Sequence, residues 1–166
     1  MINKSLVIDG KPFAPRFFND FELIEGVEDA LKSFHRLGYL NIVVTNQPDI
    51  ANHLMASDEL NRMNKFLLSK LPIAKIYVCT HSSGDNCDCR KPKPGMIIWA
   101  AERFNIDLSQ SVLVGDRWKD VACGHAAGVS KVFFVDYKYD EPKPTGTYVA
   151  VKSLVEVVNL LQDTKI

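Results

Sequence analysis

Four potential metal donors fall between residues 79 and 89: Cys79, His81, Cys87 and Cys89, spaced C-x-H-x5-C-x-C. Three thiolates and one imidazole form the Cys3His set that tetrahedral zinc prefers. The C-x-H and C-x-C pairs each offer two donors from a short backbone arc, and the five-residue arm lets the second pair fold back onto the first. A chance cluster, or thiols that pair as disulfides, is the competing explanation. It is weakened because three of the four cysteines and one of the four histidines of the chain lie in this window. Four protein donors leave no open coordination position, so the zinc is expected to be structural. Cys123, the remaining cysteine, lies in a helix-like segment and is expected to be a packed, inert thiol. Clustered thiols behind a start, MINKSLVIDG, that lacks secretory features point to the cytoplasm.

Weaker signals sit at the ends of apolar runs. Asp9 closes SLVI, Thr45-Asn46 closes NIVVT, Lys91 lies in RKPK, and Gly115-Asp116 closes SVLV with Asp120 four residues on. Taken singly, each has a plain explanation: a turn former, a helix cap or a solvated basic run. Their order is the informative property. A carboxylate follows the first strand, a hydroxyl and amide follow the second, a lysine precedes a proline-started helix, and a paired carboxylate follows the fourth strand.

The elements that must position these groups read as alternating strands and helices. Strands are expected at 5–8, 41–45, 75–79, 111–115 and 131–135, with a short edge strand at 148–151. Helices are expected at 26–37, 57–71 with Ser57 as N-cap, 94–104, 119–127 and 153–161. Residues 11–19, with Pro12 and Pro15, read as loop, as do 136–146. Continuous apolar strands alternating with amphipathic helices predict an α/β fold. The expected architecture is a three-layer, Rossmann-like parallel sheet with helices on both faces. One domain is expected over residues 1–166, without a large cap, because no long insertion separates the first two strands. Ligands of such sheets gather beyond the carboxyl ends of the strands, where the polar groups lie. The net charge is zero. That argues against a nucleic-acid partner, and no apolar run is long enough for a membrane span. A monomer is the default expectation.

The same order of groups resembles the haloacid dehalogenase (HAD) superfamily of phosphohydrolases. VVTNQPDIA, CDCRKPKPGM and VGDRWKDVACGHAAGV, with DFELIEGVEDAL before them, are similar to its zinc-loop branch. That branch holds the heptose 1,7-bisphosphate phosphatases and histidinol-phosphate phosphatases. The resemblance is specific from Asp20 to Val135. It implies a Mg2+-dependent phosphatase acting on a small phosphorylated metabolite, such as a heptose bisphosphate, through an aspartyl phosphate. By position it implies Asp9 as nucleophile and magnesium ligand. Thr45, Asn46, Arg90 and Lys91 would bind phosphate and substrate, Asp116 would be the second magnesium ligand, and Asp120 would support the metal or Lys91.

One departure matters. The family reads D-x-D-G after its first strand, and this chain reads Asp9-Gly10-Lys11. If Asp9 is the nucleophile, Lys11 stands where the acid-base aspartate belongs, and a lysine of pKa about 10.4 is a poor base near neutrality. If Asp9 is instead the second aspartate, Val7 stands at the nucleophile position. Strand length favours the first register and Asp9-Gly10 the second. The departure leaves a second function open: a catalytically degenerate relative that binds a phosphorylated ligand or a protein.

Overall fold

In the computed structural model, residues 1–163 are described, and the first strand is the point of departure from expectation. β1 (Leu6–Ile8) does not join a parallel sheet. It pairs antiparallel with β2 (Lys11–Phe13), in a segment expected to be loop. The connection is Asp9-Gly10, with φ of 49° and 76°. Two consecutive positive-φ residues make the tight turn whose twist matches a hairpin, and Asp-Gly is a favoured pair for it. An apolar run of three residues fits a buried strand or a ribbon equally well, and here the turn decides. All three residues of β1 are exposed.

The remaining elements follow the expected alternation. α1 (Val27–Arg36) buries Val27, Ala30, Leu31 and Phe34 along one stripe. β3 (Ile42–Asn46) follows, then α2 (Ser57–Lys70), where Ala56 rather than Ser57 holds the N-cap position and makes no side-chain cap. β4 (Lys75–Cys79) leads into the Cys/His loop, and α3 (Gly95–Phe104) leaves it. β5 (Val112–Gly115), α4 (Trp118–Ala127), β6 (Lys131–Val135), β7 (Val149–Val151) and α5 (Leu154–Asp163) complete the chain. α4 ends as expected at Gly128, in the left-handed conformation.

Two parallel ladders form the middle layer: β3 with β4, and β5 with β6 with β7. α1 and α5 cover one face, joining Leu31, Phe34, Val157 and Leu161 to Phe133 and Val135 in the largest apolar cluster. α3 and α4 cover the other through Ile97, Cys123 and Ala127, packed on Val44 and Leu113. The architecture is thus the helix–sheet–helix α/β arrangement read from the sequence. Among the described residues, however, no ladder joins β3 to β5. A cavity of about 550 Å3 lies between them.

Candidate active site

The carboxyl ends of β3 and β5 face this cavity, and Thr45, Lys91, Asp116 and Asp120 all line it. Lys91 and Asp120 form its fixed centre. The Lys91 ammonium lies 2.7 Å from Asp120 Oδ1 and donates to the Val44 carbonyl at 2.8 Å. Both side chains are largely buried, at 13% and 9% exposure. The other Asp120 oxygen accepts from the backbone N–H groups of Asp116 and Arg117, at 3.2 and 3.0 Å. One carboxylate therefore caps α4, closes the turn after β5 and holds the lysine. Burial pushes the Asp120 carboxyl up, but the Lys91 ammonium and the Arg117 N–H outweigh it and hold the group below its ordinary value. Gly115 makes this approach possible, since a Cβ there would stand 2.2 Å from the Asp120 Cβ. Nothing in the local pattern announced that role.

Asn46 spends its amide on the backbone beside Lys91, donating to Lys91 O at 3.0 Å and accepting from Lys91 N at 3.1 Å. It was expected to bind a phosphoryl group; its contacts here are those of a clamp between β3 and the lysine. Thr45 Oγ1 accepts from Gln47 Nε2 at 3.2 Å, which leaves its own proton free to donate. Gln47 Oε1 is buried without a hydrogen-bond partner among the described residues. Arg90 turns away from the cavity onto the metal loop, donating to His81 O at 3.0 Å and reaching Ser83 Oγ at 3.4 Å.

Asp116 has different neighbours from those expected. The ammonium of Met1 stands 3.3 Å from its Oδ2, and the Tyr139 hydroxyl is 3.5 Å from the same atom. Asp9 does not face it. Asp9 sits at the exposed tip of the β1–β2 hairpin, where Gly10 O accepts from Asp140 N at 2.8 Å. Asp9, expected to share a cation with Asp116, is thus not among the residues that line the cavity with it. Of Asp116 and Asp120, the two carboxylates at this end of the cavity, Asp116 is the one not paired with Lys91. The 136–146 segment, read as plain surface loop, brings Tyr139 to Asp116. It also brings Glu141 into a two-pronged ion pair with Arg117. Its polar composition carries no signal of either contact.

The Cys/His loop assembles as the spacing predicts. The donor atoms of Cys79, His81, Cys87 and Cys89 all lie within 4.8 Å of one another. Sulfur–sulfur separations are 3.7 Å for Cys79–Cys87 and 3.4 Å for Cys89–Cys87, and His81 Nδ1 is 3.6 and 3.3 Å from Cys79 and Cys89. A zinc tetrahedron with 2.3 Å metal–sulfur bonds has edges of about 3.6–3.8 Å. The donor set and its spacing fit that ion. Burial and the adjoining sulfurs push the Cys89 thiol up to about 12. Gly95 lets the loop close, for a Cβ there would lie 2.4 Å from Asp88 O. Cys123 is fully buried, with its thiol raised to about 11 by burial, and is packed as expected.

A HAD-hydrolase-like family model matches residues 88–155. The chain is 36% identical over 129 residues to a D-glycero-beta-D-manno-heptose-1,7-bisphosphate 7-phosphatase of Vibrio cholerae, covering 70% of this chain and 69% of that one. It is 30% identical over 152 residues to a D-glycero-alpha-D-manno-heptose-1,7-bisphosphate 7-phosphatase of Campylobacter jejuni, covering 89% and 86%. In fold it is similar to a D,D-heptose 1,7-bisphosphate phosphatase from B. bronchiseptica solved with magnesium and phosphate. That match has a TM-score of 0.82 and 21% identity, over 99% of this chain and 95% of that one.

Proposed function

The chain belongs to the HAD-like phosphatases, beside the heptose-1,7-bisphosphate 7-phosphatases, and from that premise we propose that it hydrolyses a phosphate ester of a small sugar, a heptose bisphosphate first among the candidates. The observation that carries this reading is the convergence of Thr45, Lys91 and Asp116 at one end of the cavity. A cation, a hydroxyl donor and a carboxylate are the groups that phosphoryl transfer uses to hold and neutralise its transition state.

In this reading Lys91 neutralises the phosphoryl oxygens. Asp120 keeps that ammonium charged and aimed, and Asn46 fixes the backbone on which it stands. Thr45 donates its free proton to a second oxygen. Asp116 would hold Mg2+, which supplies further charge neutralisation when bound together with substrate phosphate. Zinc at Cys79, His81, Cys87 and Cys89 would stiffen the loop from which Arg90 and Lys91 emerge. The attacking carboxylate is not among the gathered groups. Asp9 could serve only after leaving the hairpin tip, and we route no step through it.

Its position also favours a second reading, in which the chain binds a phosphorylated ligand without turning it over. Phosphate release from heptose 1,7-bisphosphate and a panel of sugar phosphates, with and without Mg2+, separates the two. Turnover that needs Mg2+ and is lost in Lys91→Met supports the enzyme. Binding of the same sugar phosphates, lost in Lys91→Met and without release, supports the binder. An Asp9→Asn variant as active as the parent would remove Asp9 from the chemistry.

A further inference from the structure

The three sulfurs of the metal loop stand against one another, and Cys87 is the one that touches both others. Its Sγ is 3.7 Å from Cys79 Sγ and 3.4 Å from Cys89 Sγ. Their surroundings differ. Cys79 and Cys89 are 0% and 4% exposed and pack with Met96. Cys87 is partly exposed and follows an arm, Ser83 to Asn86, in which every residue is exposed. Long cationic side chains tie that arm down: Arg90 reaches His81 O and Ser83 Oγ, and Lys93 Nζ reaches Asn86 O and Oδ1. The chain thus presents one accessible sulfur with two partners behind it. A move of about 1.5 Å would bring either partner to the roughly 2.05 Å of a disulfide. The fourth thiol, Cys123, is fully buried in a different cluster and donates to Lys93 O at 3.3 Å.

We propose that Cys87 is a site of reversible oxidation by hydroperoxides, and that its disulfide with Cys79 or Cys89 opens the metal loop. The inference rests on the zinc reading of this loop and goes beyond it. In the first step the Cys87 thiolate attacks a peroxide oxygen. An S–O bond forms, the O–O bond breaks, and the departing oxygen takes a proton and leaves as water or an alcohol, which gives a sulfenic acid. A neighbouring thiolate then attacks the Cys87 sulfur. An S–S bond forms, the S–O bond breaks, and the hydroxide takes a proton and leaves as water. Two thiolates have lost two electrons and one peroxide has gained them. Metals are held by thiolates, so the donor set falls from Cys3His to one thiolate and one imidazole. The effect reaches Lys91 from both sides. Cys79 pairs with Asn46 across the β3–β4 ladder and its carbonyl accepts from Gln47 N at 2.7 Å, while Cys89 stands two residues before Lys91. The Lys91–Asp120 ion pair does not pass through the loop, so oxidation weakens the hold on the lysine without removing it.

The test needs no substrate. Zinc-loaded protein is treated with hydrogen peroxide beside a chromophoric zinc chelator, and its thiols are mapped by alkylation and mass spectrometry. About one zinc should be released for each two thiols lost, with a disulfide that includes Cys87 and with Cys123 still alkylated. Melting temperature should fall with the release and recover on adding reductant and zinc. Cys87→His keeps a tetrahedral Cys2His2 set without the accessible sulfur, so it should load zinc and release it to peroxide about tenfold more slowly or slower still. Oxidation that reaches Cys123 ahead of Cys87, release from Cys87→His as fast as from the parent, or a loss that reductant and zinc do not reverse overturns the proposal. Parent protein made with ample zinc that holds none would sink the zinc reading itself. Zinc kept throughout peroxide treatment would sink this proposal alone, and the proposed phosphatase activity is untouched by either result.

Discussion

Asp120 carries three duties on two oxygens, which makes it the residue whose loss should be felt most. Replacing it by Asn leaves the Lys91 ammonium buried beside a neutral amide. Breaking a buried ion pair on one side costs about 3 kcal/mol or more. For a chain of this size that corresponds to a fall of roughly 6–12 °C in melting temperature. Gly115→Ala should reproduce much of the effect without touching either charge, because the new methyl group and the Asp120 side chain cannot occupy one place. A melting temperature unchanged in both variants would contradict the central role of the pair. The pH dependence has a definite sign. The native carboxyl of Asp120 is held below its ordinary value. Its contribution is therefore complete above the unfolded carboxylate value of about 3.9 and is lost as pH falls through the lower native value. Between pH 5 and 3, stability measured by denaturant titration should fall less steeply in Asp120→Asn than in the parent.

At the scale of the element, the metal loop and the hairpin behave in opposite ways. The loop is closed by donors that are near in sequence, and its ends continue β4 and enter α3. Cys87→Ser should lower both zinc content and melting temperature, since metal affinity in such loops is coupled to folding. The fall should vanish when parent and variant are compared in excess chelator. Zinc must displace the proton of a thiol pushed up to about 12, so apparent affinity should rise with pH in competition titrations. The hairpin has little to hold it besides its ladder, its turn and the Asp140 contact. Gly10 has φ of 76° and a Cβ there would lie 3.0 Å from the Asp140 Cβ. Gly10→Val should open the hairpin, visible as faster exchange of residues 6–13, with little change in the melting of the rest.

At the scale of the whole molecule, a sheet interrupted between β3 and β5 is held together by helices that bridge the gap on both faces. α1 and α3 each line the opening and pack on the ladders around it. The site stands at the carboxyl edge of the interruption, where Lys91, reaching across from the metal loop, meets Asp120 at the start of α4. Charge is balanced over the chain as a whole, with 20 basic and 20 acidic residues. A chain without a basic excess is expected to neutralise few phosphates and so to release few counterions on nucleic acid. Retention on double-stranded DNA at physiological salt should therefore be undetectable. No helix among the described residues is long and apolar enough to cross a membrane.

What the sequence determined by itself is whatever depends on near neighbours. Helix stripes repeat every three to four residues, buried strands are short apolar runs, and the four zinc donors fall on one loop. Each of these is set within a few residues, so α1 to α5, β3 to β7 and the metal cluster were all legible. Asp9, Thr45, Lys91 and Asp116 were expected together from their order at strand ends; Thr45, Lys91 and Asp116 line one cavity with Asp120, and Asp9 is not in that lining. Lateral order in the sheet was not, because an apolar run carries no mark of the edge it pairs with. Leu6–Ile8 satisfies a buried strand and an exposed ribbon alike, and Asp9-Gly10 turns it into the ribbon. Only the tertiary structure could take Asp9 away from Asp116, spend Asn46 on the backbone of Lys91, turn Arg90 onto the metal loop and set Met1 at the carboxyl edge of an open sheet. The Asn46–Lys91 and Met1–Asp116 contacts join segments far apart in the sequence, and all four outcomes depend on which edges and charges remain unmatched once the local elements have formed.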